Sequence, residues 1–120
     1  MEQTLFDKYG GFATVSRIVS AFYDEVLDSP RLSPYFDGLD MRRLVDHQTK
    51  FIASLMGGPA SFSNEALVRA HAKLGIDSDD FDEAVKILKF TLEDFDLEEG
   101  DISRIIGDVV SRRHYIVTQS

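Results

Sequence analysis

Three histidines, at positions 47, 71 and 114, are the side chains of this 120-residue sequence best suited to chemistry. A neutral imidazole either packs as a satisfied core residue or gives one ring nitrogen to a soft or borderline metal. His71 lies four residues after Leu67 and three before Leu74, so the three share one helical face, which reads as inward-facing. His47 stands three after Leu44 and four before Phe51, at the edge of an apolar stripe, and Gln48 falls in the middle of that stripe. Tyr23 sits beside Phe22 and carries a hydroxyl toward the core. His114 follows Val110 by four residues, behind Arg112 and Arg113, where cations in a last helical turn are a sufficient account of it. Taken singly, each has a bland explanation: a core histidine, a rim histidine, a snorkelling amide, a tyrosine with a local acceptor. Burying an unpaired polar group costs about 1–3 kcal/mol, so together they require one interior place where they meet a partner. A helical domain this small has room for that place only around a ligand.

Composition removes several other chemistries. There is no cysteine, hence no disulfide framework, thiolate zinc site, cysteine-held iron–sulfur cluster or CxxCH haem attachment. Thirteen Lys and Arg against 21 Asp and Glu give a net charge of −8, which argues against nucleic acid and against a polybasic membrane anchor. The apolar runs are too short to span a bilayer, and the first twelve residues lack the apolar core of a signal peptide. A cytoplasmic protein of one domain, 1–120, is the expectation.

The elements that would position these residues are helical almost throughout. Phe12, Val15, Ile18, Val19, Phe22 and Val26 form one stripe, closed at Asp28-Ser29-Pro30. A short segment, Leu32–Phe36, leads to a turn at Asp37-Gly38. Leu44, Gln48, Phe51, Ile52 and Leu55 form a second stripe, stopped at Gly57-Gly58-Pro59. After a loop over 60–63, the spacing predicts a helix from about Asn64 to Leu74, ended by Gly75. Asp77 to Asp80 open a helix carrying Phe81, Ala84, Val85, Leu88, Leu92 and Phe95. A final helix from about Glu98, with Ile102, Ile105, Ile106, Val109 and Val110, is expected to continue toward Ile116. No alternating strand pattern of useful length appears, and the fold class is all-α.

Phe22-Tyr23, Leu32-Ser33-Pro34-Tyr35-Phe36, Gly57-Gly58-Pro59 and Ala70-His71-Ala72-Lys73-Leu74-Gly75-Ile76, with the early Gly10-Gly11 pair, resemble the group I truncated hemoglobins. The resemblance runs from about Leu5 to Val117. It implies a truncated globin fold, a two-over-two helical sandwich around haem b. By that resemblance His71 is the proximal iron ligand, Phe36 wedges against the porphyrin, and Tyr23, Leu44 and Gln48 form the distal pocket. Phe51, Leu67 and Ile76 complete the haem contacts, and Arg43 is a candidate partner for a propionate. Asp40-Met41 followed by His47-Gln48 resembles the subgroup whose distal histidine also binds iron, so His47 joins His71 as a candidate metal ligand. His114 aligns with a histidine that, in some members of that subgroup, bonds covalently to a haem vinyl group; its helical register predicts an inward orientation. Leu44 departs from the subgroup, which commonly has glutamine there.

The resemblance implies reversible binding of O2, NO and CO, with Tyr23 and Gln48 donating hydrogen bonds to the gas. Its implied use is detoxification of nitric oxide, a dioxygenase-type reaction that needs an external reductase. Gas sensing and electron transfer compete within the haem class. Outside it, a haem-free helical interaction module would leave His71 and His47 as ordinary core and surface residues.

Overall fold

In a computed structural model of the chain, residues 4–58 and 76–117 are described, those of Tyr115 and Ile116 as backbone only. The elements are α1 (Leu5–Lys8), α2 (Gly11–Asp28), a short 3-10 turn (Ser33–Phe36), α3 (Met41–Leu55), α4 (Ser78–Asp94), α5 (Glu99–Val110) and α6 (Arg113–Ile116). The expected helix near 64–74, and with it Leu67 and His71, lies outside the described residues.

Local chemistry explains the boundaries. Gly10 and Gly11 both adopt positive φ, at 105° and 72°, a pair of left-handed steps that turns α1 into α2. The Asp40 carboxylate accepts the Arg43 N–H at 3.3 Å, and Asp77 accepts that of Asp80 at 2.8 Å, each capping a helix start. At the end of α3, Gly57 takes φ 87°, its N–H bonds Ser54 O, and the Gly58 N–H bonds Ala53 O at 2.8 Å. This is a Schellman closure, built on the glycine pair visible in the sequence.

Helix α2 packs against both α3 and α4, and α4 packs against α5. The shared interior holds Val15, Ile18 and Val26 from α2, Phe51 and Ile52 from α3, Leu88 and Leu92 from α4, and Ile105 from α5. Each such side chain contributes roughly 1.5–3 kcal/mol by leaving water. Two contacts fasten the start of the chain. The Phe6 N–H donates to Met56 O at 2.9 Å, seating α1 on the end of α3. Lys8 Nζ and Tyr9 Oη reach Asp101 of α5 at 2.7 and 2.6 Å, and Lys8 also meets Glu98 at 3.0 Å.

Two sequence expectations are corrected. Phe12 is not a core residue: it is 41% exposed, and its ring stacks edge-on against Phe6 of α1 at 4.8 Å. The final helix does not run unbroken to Ile116, because Ser111 Oγ and Arg112 Nη1 both donate to Asp108 O at 2.7 Å and turn the chain. Arg113 then lies over the Phe81 ring at 4.7 Å and pairs with Asp82. His114 is consequently exposed on the separate helix α6 rather than inward, and Val110, four residues before it, is itself 39% exposed.

Candidate functional site

Two buried polar groups of the helices are answered locally. The Thr49 hydroxyl donates to Val45 O at 2.7 Å and that of Thr91 to Ile87 O at 2.9 Å. Tyr23 and Gln48, both 8% exposed, differ from these. Neither side chain hydrogen-bonds to a described residue, and both line the same cavity. Burial alone pushes the Tyr23 hydroxyl above the ordinary phenol range.

That cavity, about 120 Å³, lies between α2, the 3-10 turn, α3 and α4. Close-packed interiors rarely leave a void larger than a water molecule, so this space is a feature of the design rather than a defect. Its wall is overwhelmingly apolar, with Phe22, Phe36, Leu44, Phe51 and Ile76 among its residues. The Tyr23 ring is held edge-on by Phe22 at 4.9 Å and by Phe36 at 5.7 Å. Thus six of the residues singled out in the sequence meet here: Tyr23, Phe36, Leu44, Gln48, Phe51 and Ile76. His47, half-buried one residue before Gln48, is not among the described wall residues, nor are the exposed Arg43 and His114.

Two further wall residues escaped the sequence reading. Asp80 is 8% exposed, and its carboxylate accepts hydrogen bonds from Tyr35 Oη and from Arg31 Nε. Together they hold it well below the usual carboxylate range, the phenol contributing most. A signal for Asp80 existed: it stands four residues before Ala84 and eight before Leu88, on the apolar stripe of α4. Tyr35 gave none beyond its place next to Phe36.

The model of the bacterial-like globin family matches residues 4–118. A group 1 truncated hemoglobin of Tetrahymena thermophila is 31% identical over 107 residues, covering 89% of this chain and 85% of that protein. The chain belongs to the truncated hemoglobins. The 2/2 hemoglobin of Synechococcus sp. PCC 7002, described in its cyanomet state with covalently attached heme, superposes with a TM-score of 0.88. The two chains are 28% identical, with 98% of this one and 100% of that one covered. The Fe(III) form of the truncated hemoglobin from Tetrahymena pyriformis gives a TM-score of 0.85 at 26% identity, over 96% and 98% of the two chains.

As a truncated hemoglobin, the chain has the two-over-two helical fold and binds haem and a diatomic gas such as O2. The chemistry of the described wall residues fits that group. The wall is apolar enough for a porphyrin, and its two polar groups without a partner among the described residues are hydrogen-bond donors, the kind a bound gas requires. Among the described residues, no helix is long and apolar enough to cross a membrane.

Proposed function

We propose that this truncated hemoglobin holds haem b through His71 and uses Tyr23 and Gln48 to retain O2 for the removal of nitric oxide. The single observation that supports it most is the pair of donors without a partner among the described residues, Tyr23 Oη and the Gln48 amide, on one apolar cavity wall. When bound, the haem supplies the iron that takes the gas and the electron that, with O2 and NO, gives nitrate and a ferric centre for a reductase to restore.

The chain's own part is binding, orientation and exclusion of water. Phe36 and Phe51 offer flat apolar surface to the porphyrin, Leu44 and Ile76 close the wall around it, and Leu67 shares the helical face of His71. Tyr23 and Gln48 donate toward the gas; bonds to a partly charged acceptor are worth roughly 1.5–3 kcal/mol. Arg43, exposed on the first turn of α3, is available to a propionate. His47 lies one turn after Leu44 on α3, off the described cavity wall, and its candidacy as a second iron ligand rests on the sequence resemblance alone. Covalent attachment through His114, which lies exposed off the described cavity wall, rests on the sequence resemblance; the Synechococcus protein is described with covalently attached heme.

The absorption spectrum of the purified protein tests this. The expected result is an intense haem band with a low-spin six-coordinate ferric spectrum. His71→Ala should lose the pigment on gel filtration, and His47→Leu should turn the spectrum high-spin and five-coordinate. A colourless protein overturns the function, an unchanged His47→Leu spectrum overturns the second ligand, and haem extracted into acid–acetone overturns the His114 link.

A further inference from the structure

The cavity wall includes a short segment held by local backbone bonds. The 3-10 turn that carries Phe36 is four residues long, with Tyr35 N–H on Leu32 O at 3.1 Å and Asp37 N–H on Pro34 O at 3.5 Å. Short 3-10 turns have poor hydrogen-bond geometry and do not hold themselves rigid. Yet Phe36 must keep its edge-on contact with Tyr23 if the Tyr23 hydroxyl is to point steadily at a guest in the cavity.

The stiffness comes from across the cavity. Asp80, in the first turn of α4, accepts from Arg31 Nε with one carboxylate oxygen and from Tyr35 Oη with the other. Arg31 and Tyr35 bracket the stretch that leads into Phe36, so one carboxylate fixes it at two points. Asp80 is itself fixed, since its backbone N–H is held by the Asp77 cap at 2.8 Å. The arrangement is more than surface decoration: Asp80 and Tyr35 both form part of the cavity wall, and the Asp80 residue is buried.

We infer that Asp80 is a positioning residue for the gas site: through Tyr35 and Arg31 it sets Phe36 against Tyr23 and thereby aims the Tyr23 hydroxyl. This rests on the haem reading above. Charge matters to the clamp. An asparagine in place of Asp80 would keep one carbonyl acceptor but turn an amide donor toward one of its two donors.

Tyr35→Phe is the mild test, because it keeps the ring and removes only the hydroxyl; Asp80→Asn tests the other end. In the ferrous holoprotein, O2 release should quicken by one hydrogen bond's worth, roughly 2- to 10-fold. The infrared C–O stretching band of the CO complex should shift with it. In a Tyr23→Phe background neither substitution should change either reading, because the group being aimed is gone. The inference is overturned if Tyr35→Phe leaves rate and band as they were, or changes both equally in the Tyr23→Phe background. A parent protein without a haem band would instead overturn the haem reading, and this inference with it.

Discussion

Tyr23 and Gln48 stand apart from Thr49 and Thr91 in one respect: where their hydrogen bonds go. The threonines return theirs to a carbonyl four residues back and cost the fold nothing. The phenol and the amide find no partner among the described residues and face the cavity, where a guest can take their hydrogen bonds. Tyr23→Phe should therefore separate stability from function. In the haem-free protein it is expected to be neutral or to stabilise by up to about 1–3 kcal/mol in urea titration, the cost of the unpaired group. In the holoprotein, the same substitution should speed O2 release by about 10- to 150-fold. A loss of stability in the first measurement would show that the hydroxyl serves the fold instead. Both residues were legible as sequence, because a polar residue on an apolar stripe asks for a partner. Tyr35 was not, because its partner is Asp80 on a distant helix, and periodicity carries no information about pairs so far apart.

Helix boundaries were legible wherever local chemistry decides them. Asp28-Ser29-Pro30, Asp77 and the Gly57-Gly58 pair each act within one turn, and α2, α4 and α3 end or begin where those residues stand. The break before α6 was not legible, since it depends on Ser111 and Arg112 capturing one carbonyl, and the apolar spacing runs straight through it. Periodicity alone does not show helix α1, because four residues are too few to carry a period. The Schellman closure of α3 allows a sharp prediction. A methyl group on Gly58 would come within 2.7 Å of Phe6 Cδ1 and 3.0 Å of Ala53 O. Gly58→Ala should lower stability by about 1–3 kcal/mol, the usual cost of overpacking, read as a lower urea midpoint. If the midpoint is unchanged, α1 is not seated there as described.

Over the whole molecule, two carboxylates join elements far apart in sequence. Asp80 ties the approach to Phe36 to α4, and Asp101 ties Lys8 and Tyr9 to α5. Both are held below the usual carboxylate range, Asp80 chiefly by Tyr35 and Asp101 chiefly by Lys8. A lowered folded value means that their contribution is complete above the unfolded value, near pH 4, and lost as pH falls through the folded ones. Urea midpoints should hold steady in this respect from about pH 7 to pH 5 and fall below about pH 4. Asp101→Asn should make that acid limb shallower; an identical limb in the variant would remove Asp101 from the account.

The seat of α1 has a mechanical corollary. Four residues, Phe6 to Tyr9, bridge the exit of α3, through Phe6 on Met56, to the entrance of α5, through Tyr9 on Asp101. They act as a strap buckled over two helices that border the pigment's chamber, so cutting it would slacken both at once. Amide protons near 53–58 and 98–102 should then exchange faster together, while those around Leu88 and Leu92 keep their protection. A tag spliced into the opening residues would tug on the same buckle.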